Sequence, residues 1–340
     1  MTAHASTPAL IGLDWGTTSL RAYLFAADGS VLDTRALAAG VMSLPDAPGA
    51  SPSQAFDAAF EQACGAWLDR APHVPALAAG MVGSAQGWRE APYVTMPAAA
   101  DTFASSLVRF HTARGFAFAI VPGALEPGEL PDVMRGEETQ IVGALAAEPS
   151  LAAERAGALI GLPGTHAKWA WVRGGRIEWF RTYMTGELFA ALRGHTILGR
   201  TMRASDAPDW SAFARGVRIA RCKRREGLLA TLFSTRTLGL TGQLAPQAQG
   251  DYLSGLLIGH ELNALDALLD GQRASLAALA PRLVGDGALC DRYRRALAEF
   301  DCGGARIVER ASEHGLWRIA VQAGLVGAAG DAPPAPLAPH

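Results

Sequence analysis

Apolar and polar positions alternate in three closely spaced runs near the start of the chain, and each run ends in turn residues. The alternation predicts strands over 9–14, 19–25 and 30–37, with Asp28-Gly29 turning the second into the third. A loop rich in Pro, Ser and Gly (Ser43 to Ser53) then leads to a predicted helix over 54–70. A strand over 76–82, a helix over 101–113, a strand over 116–121 and a helix over 136–147 complete the first half.

The second half repeats this order. Strands over 157–162, 167–173 and 176–182 are joined through Gly174-Gly175, and a helix begins near Thr185. A long stretch of mostly helical pattern follows. The order then resumes with a strand over 281–285, a helix over 288–300, a strand over 305–309 and a helix over 315–329. Residue similarity between the halves is slight, so the repeat lies in element order. The Pro-rich run from Asp331 to His340 is expected to be disordered.

Strands alternating with helices indicate an α/β protein whose mixed sheets are covered by helices. At 340 residues two domains are expected, 1–153 and 154–330, with the helical stretch as an insertion in the second. In such folds ligands sit at loops beyond strand ends, and two similar domains place the best cleft between them.

Composition narrows the classes. Hydrophobic residues make up 49% and charged residues 18%, as in ordinary globular proteins. A net charge of −2 leaves no electrostatic footprint for nucleic acid or an anionic membrane. The basic run Arg221-Cys222-Lys223-Arg224-Arg225 reads as a solvated helix end. The 4 cysteines lack CxxC spacing, which argues against a zinc site or a disulfide framework. With neither a secretory signal pattern nor an uninterrupted apolar span, the expected compartment is the cytoplasm.

Two turns carry the chemistry. Asp14-Trp15-Gly16-Thr17-Thr18 joins two strands: Gly16 lets backbone amides approach phosphate oxygens, the hydroxyls of Thr17 and Thr18 add donors, and Asp14 can orient waters around Mg²⁺. Gly164-Thr165-His166-Ala167-Lys168 is the matching turn in the second half. Of 30 basic residues only Lys168 and Lys223 are lysine, and a compact ammonium suits a phosphate oxygen at short range. Either turn alone also reads as a plain hairpin; two at equivalent positions favour phosphate binding. Gly285 and Gly287 join a strand to a helix, where an adenine ring could lie flat on backbone. His166 is equally a phosphate donor or a satisfied structural histidine.

These elements, in this order, resemble the sugar kinase, Hsp70 and actin superfamily. Within it, Gly80-Met81-Val82-Gly83-Ser84-Ala85-Gln86-Gly87-Trp88, Asp132-Val133-Met134-Arg135-Gly136-Glu137-Glu138-Thr139-Gln140, Pro163-Gly164-Thr165-His166-Ala167-Lys168-Trp169, Met184-Thr185-Gly186-Glu187-Leu188-Phe189 and Tyr252-Leu253-Ser254-Gly255-Leu256-Leu257-Ile258-Gly259 are similar to the 2-dehydro-3-deoxygalactonokinases. The resemblance runs from about residue 9 to residue 328. It implies two actin-like (ribonuclease H-like) domains flanking a cleft, ATP and Mg²⁺, and phosphorylation of the C6 hydroxyl of 2-dehydro-3-deoxy-D-galactonate in galactonate catabolism. The implied partners are the sugar acid and ATP, without nucleic acid or membrane, and self-association into a homodimer is left open.

Such a transfer needs a carboxylate near the attacking hydroxyl, and Glu137, Glu138 and Asp132 are the candidates. The superfamily's sugar kinases usually carry Asp at the comparable place. Acidic residues in a helix's first turn also stabilise its dipole without any catalytic role. The acceptor's own carboxylate calls for an Arg, with Arg21, Arg89, Arg135 and Arg236 as candidates. Ser84 and Gln86 could meet sugar hydroxyls, and Trp88 either covers a carbon face or anchors the core.

Three other readings compete. A kinase for another sugar acid or polyol would keep both turns and differ around Ser84 to Trp88. An actin- or chaperone-like ATPase would need a peptide-binding domain or a polymerising surface, and a sugar-responsive repressor would need a DNA-binding segment. A P-loop enzyme is excluded, because neither lysine follows a glycine as that motif requires.

Overall fold

The three alternating runs at the start form a meander. In the computed structural model, which describes residues 7–44, 52–271 and 273–327, they are β1 (Pro8–Trp15), β2 (Leu20–Ala26) and β3 (Val31–Leu37), paired antiparallel in sequence order. Then come α1 (Pro52–Leu68), β4 (Ala76–Ala79), β5 (Tyr93–Thr95), α2 (Ala100–Ser105), β6 (Val108–His111) and β7 (Ala117–Ile120). β8 (Gly123–Glu126), β9 (Asp132–Met134), α3 (Glu137–Ala147) and α4 (Pro149–Ala153) complete the run. The main sheet has the order β3-β2-β1-β4-β7-β6, with β1, β4 and β7 parallel and β6 antiparallel at the edge. Ile11, Leu13, Trp15, Phe56, Phe60, Trp67 and Phe118 form its core against α1.

Two features depart from the sequence expectation. The helix expected over 101–113 stops at Ser105; Val108–His111 is an edge strand whose Val108 and Phe110 lean on the core while Arg109 and His111 face outward. Period-2 burial over four residues is too short to stand out from a helical pattern. A second sheet, β5-β8-β9, was not anticipated, because its strands are only three or four residues long.

The chain continues through β10 (Ala158–Leu162), β11 (Ala167–Arg173) and β12 (Arg176–Tyr183). Five helices follow: α5 (Thr185–His195), α6 (Trp210–Cys222), α7 (Gly227–Leu232), α8 (Ser234–Leu240) and α9 (Gln249–Asp270). Then come β13 (Arg282–Leu283), α10 (Gly287–Ala298), β14 (Arg306–Ile307) and α11 (Ala311–Gln322). The third sheet has the order β12-β11-β10-β13-β14, with β10, β13 and β14 parallel. α6 and α9 pack closely; a Cβ on Gly255 would lie 2.0 Å from the Phe213 carbonyl oxygen.

The fold is therefore α/β with mixed sheets. The chain divides into two units. The first contains residues up to Gly157, the tip of the β11–β12 hairpin (172–179) and everything from Arg310 onward; the second contains Ala158–Trp171 and Phe180–Glu309. The sequence expectation put 154–330 in one domain, but α11 belongs with the first unit, packed on α3 and β1. Small residues set that packing: a Cβ on Gly143 would sit 1.8 Å from the Ala311 carbonyl oxygen, and one on Gly315 1.9 Å from that of Thr139. The expected disordered run 331–340 and most of the loop Ser43 to Ser53 lie outside the described residues. No helix among the described residues is long and apolar enough to cross a membrane.

Candidate active site

In the first unit the glycine–hydroxyl turn closes through the Gly16 N–H, which donates to the Ser19 carbonyl at 2.9 Å. The N–H groups of Val41 and Met42 donate to the carbonyls of Gly16 and Thr17, both at 3.0 Å, and hold the turn from behind. The side chains of Thr17 and Thr18 are left exposed. Asp14 sits at the end of β1, half-buried, opposite the exposed Arg21 of β2. Its Oδ2 accepts a hydrogen bond from Ser312 Oγ at 2.9 Å, and Ser312 in turn accepts from Gln140 Nε2 at 3.2 Å.

Burial pushes the Asp14 carboxyl above its usual range; Ser312 and Arg21 pull it down, while Glu137 and Glu313 push it further up. Glu137 and Glu313, in the first turns of α3 and α11, thus both repel the Asp14 carboxylate, with Arg21 as the compensating charge. Among the described residues, no group of three or more His, Cys, Asp or Glu is placed to hold a metal ion directly. A single carboxylate such as Asp14 can accept from the waters of Mg²⁺, an ion that keeps much of its hydration shell.

The three carboxylate candidates separate. Glu137, first residue of α3, is half-buried, accepts from the Arg135 N–H at 3.0 Å and acts electrostatically on Asp14. Glu138 has no exposed surface: its oxygens accept from the Gly136 N–H at 2.7 Å and from Thr139 Oγ1 at 3.0 Å. Burial, helped by Glu137, pushes it up to about 8. With no exposed surface and both oxygens already bonded, Glu138 is placed less well than Glu137 to meet an acceptor hydroxyl. Asp132 is not at the helix start at all; it opens β9, opposite Glu126.

The sugar-acid candidates also separate. Trp88 is a core anchor: it is 4% exposed, packs against Trp15, Phe56, Phe60, Phe110 and Phe118, and donates through Nε1 to Ser53 Oγ at 3.1 Å. Its expected contact with substrate is thereby corrected, since the apolar ring surface is already covered. Gln86 and Arg89 are exposed, and Arg89 lies over the Phe110 ring at 5.5 Å. Ser84 is buried, with an Oγ that makes no hydrogen bond among the described residues. Arg135 stacks on Tyr93 at 4.4 Å and donates once, from Nη2 to the Ala91 carbonyl at 2.8 Å, while its buried Nε and Nη1 have no partner among the described residues. Unsatisfied guanidinium donors are costly, and a carboxylate is the group that satisfies them best. Arg236, in α8 of the second unit, donates to the Ile197 carbonyl at 3.3 Å.

In the second unit Thr165 and His166 are exposed, and His166 Nε2 pairs with the Glu187 carboxylate. Lys168 is 6% exposed, and its Nζ donates to the His166 carbonyl at 3.0 Å. The expected open ammonium is instead buried behind the turn and shapes it. The start of α5 docks on the same turn: Gly186 leaves no room for a Cβ against the Gly164 carbonyl, and the Glu187 N–H donates to that of Thr165 at 2.9 Å. Gly285, at φ +141°, reaches the turn as well, because a Cβ there would lie 3.2 Å from the Pro163 oxygen. Gly287 is simply the exposed first residue of α10.

Beside this turn lies a pocket of about 340 Å³, lined by Gly164, Thr185, Gly186 and Phe189, by Arg193 and the loop 202–208, and by Gly250, Asp251, Ser254, Leu257, Leu289, Arg292 and Tyr293. Its lining is mixed: Phe189, Leu257 and Leu289 offer apolar surface to a heterocycle, and Arg193 and Arg203 stand with Asp206 and the Arg292–Asp251 pair. Arg292 pairs with Asp251 at 2.6 Å and lies over the rings of Trp210 and Phe213. Sequence motifs pointed to the turn but not to Arg292 and Asp251, which pair within the second unit, nor to Ser312, which reaches Asp14 within the first.

A family profile described as 2-keto-3-deoxy-galactonokinase matches residues 14–319. A 2-dehydro-3-deoxygalactonokinase of Escherichia coli (strain K12) is 34% identical over 297 residues, covering 87% of this chain and 91% of the relative. A relative from Rhizobium meliloti (strain 1021), provisionally given the same activity, is 34% identical over 291 residues, covering 84% and 87%. A crystal structure of a candidate enzyme of that kind from Sinorhizobium meliloti superposes with a TM-score of 0.74 at 33% identity, covering 92% of this chain and 95% of that one.

Proposed function

Since the chain belongs to the 2-keto-3-deoxy-galactonokinase family, we propose that it transfers the γ-phosphoryl of ATP to the C6 hydroxyl of 2-dehydro-3-deoxy-D-galactonate, in galactonate catabolism. The observation that carries the reading at the level of residues is the half-buried Glu137 set beside Asp14. A hydroxyl is a poor nucleophile until a carboxylate accepts its proton, and Glu137 combines exposed surface with a place beside Asp14. Each unit is read as an actin-like domain.

Asp14 holds Mg²⁺ through water. When bound, the ion neutralises charge on the transferred phosphoryl group. Thr17 and Thr18 offer hydroxyl donors to phosphate oxygens. Arg135, packed against Gly83 next to Ser84, receives the acceptor's C1 carboxylate on the donors that lack a partner among the described residues. In the second unit the 340 Å³ pocket takes the nucleotide, with the Gly164–Thr165 turn against its phosphates. His166 and Lys168 keep that turn in shape.

A coupled ADP-release assay over a panel of 2-keto-3-deoxy sugar acids tests the reading. Acid-dependent ADP release with the galactonate derivative preferred is the expected result. Preference for the gluconate derivative would move the assignment to its stereoisomer, and release independent of any sugar acid would overturn it.

A further inference from the structure

One buried carboxylate stands outside everything described so far. Glu261 lies on α9, one turn beyond Leu257 and Ile258, in the middle of an apolar run, and is 4% exposed. Its Oε1 accepts from Trp169 Nε1 at 2.7 Å; its Oε2 accepts from the Tyr293 hydroxyl at 2.8 Å and from Thr185 Oγ1. The three donors belong to three different elements. Trp169 follows Lys168 in β11, directly after the glycine–hydroxyl turn; Thr185 opens α5; Tyr293 is on α10. Thr185 and Tyr293 both line the pocket.

A leucine here would bury more cheaply than a carboxylate, so stability alone does not account for the residue. What the carboxylate adds is geometry. Three elements that line one pocket, α5, α9 and α10, and the strand that leaves its glycine–hydroxyl turn are fixed to a single group, and a satisfied polar network specifies one arrangement where apolar packing tolerates several. We propose that Glu261 is the positioning residue of the nucleotide pocket, setting the spacing of the glycine–hydroxyl turn, the first turn of α5 and α10 around the bound nucleotide. This rests on the nucleotide reading of the pocket given above.

The hydrogen-bond chemistry distinguishes positioning from charge. An indole N–H can only donate, whereas the hydroxyls of Thr185 and Tyr293 can donate or accept. A glutamine therefore reproduces the network, with its oxygen toward Trp169 and its amide toward the two hydroxyls. Burial pushes Glu261 up to about 7, so the neutral form that glutamine mimics is close at hand. Alanine leaves all three donors without an acceptor.

The test is calorimetric titration of the intact protein with ADP and with the β,γ-imido analogue of ATP, alongside KM for the sugar acid at saturating ATP. Glu261→Ala is expected to weaken nucleotide binding about ten-fold, the sugar-acid KM being unmoved, and Glu261→Gln to restore affinity to within about three-fold. Tyr293→Phe, which deletes one hydroxyl, is expected to lose about three-fold, and it carries the test if the alanine variant does not fold. Native affinity in a folded Glu261→Ala, or in Tyr293→Phe where the alanine variant fails, would overturn the proposal. So would equal losses for nucleotide and sugar acid, or a Gln variant as impaired as the Ala variant. Ser254→Phe fills the pocket and separates the two readings: native nucleotide affinity in that variant would refute the pocket assignment itself, whatever Glu261 does.

Discussion

Ser312 Oγ donates to Asp14 Oδ2 at 2.9 Å, joining residues 298 positions apart in the chain. Asp14 is thereby held by the first turn of α11 while its other oxygen makes no hydrogen bond among the described residues. Asp14→Asn keeps the shape and the acceptor for Ser312 but removes the charge. Turnover should fall by on the order of a hundred-fold or more with the melting temperature nearly unchanged. Ser312→Ala should cost only a few-fold. Steady-state kinetics with thermal unfolding on the same preparations would check both, and native turnover in Asp14→Asn would remove that residue from the mechanism.

Glu137 and Glu138 are adjacent in sequence and opposite in environment. Glu137→Gln is expected to lose on the order of a hundred-fold in kcat with little change in either KM. Glu138→Gln should be mild, because a glutamine can accept from the Gly136 N–H and donate to the Thr139 hydroxyl. Two mild variants would shift attention to Asp132, and an active Asp132→Asn would then leave positioning alone to carry the reaction.

The pH dependence of stability follows from the same burial. Glu138 and Glu261 are raised from the ordinary 4.5 to about 8 and about 7, so between those limits the folded state binds more protons than the unfolded chain. Their contribution is fully present below about 4.5 and is lost as pH climbs through the folded values. Melting temperature should therefore fall from about pH 4.5 to about pH 8 by this mechanism, the Glu261 part ending near 7 and the Glu138 part near 8. Glu138→Gln should flatten the upper part of the profile. An unchanged slope would mean that Glu138 titrates normally.

The Arg135 guanidinium makes one hydrogen bond and keeps two buried nitrogens without partners among the described residues. Arg135→Lys should raise KM for the sugar acid roughly ten- to a hundred-fold, with KM for ATP near native, because the contact forms in ground and transition states alike. A matching rise for ATP would show a structural role instead. Trp88→Ala makes the contrast: it should destabilise by about 3–5 kcal/mol in chemical denaturation. Both KM values should stay close to native below the unfolding transition.

Element order was legible in the sequence because the longer strands and helices carry their own periodicity and several short strands stand out as apolar runs between turn residues. The meander of β1–β3, the hairpin around Gly174-Gly175 and α3 with its two leading glutamates follow directly from local pattern. The failures were of two kinds. Val108–His111 and the β5-β8-β9 sheet are too short to declare a period. Trp88, Lys168 and Glu138 had the right residue types in the right motifs, but burial decided their roles, and burial is set by side chains arriving from elsewhere. Glu261 did leave a trace, a carboxylate set among the apolar residues of α9.

The place of α11 has a consequence for how the protein is made. At elongation rates of about 5–20 residues per second, roughly 15–60 s separate the synthesis of Asp14 from that of Ser312, which lies 298 residues later. Throughout that interval β1 and α3 lack the helix that covers them. The first unit to be translated is thus the last to be completed, while the second can close its own sheet and helices first. The Asp14 site cannot be assembled on a nascent chain that has not yet passed Ser312, so a truncated product carries no finished catalytic face.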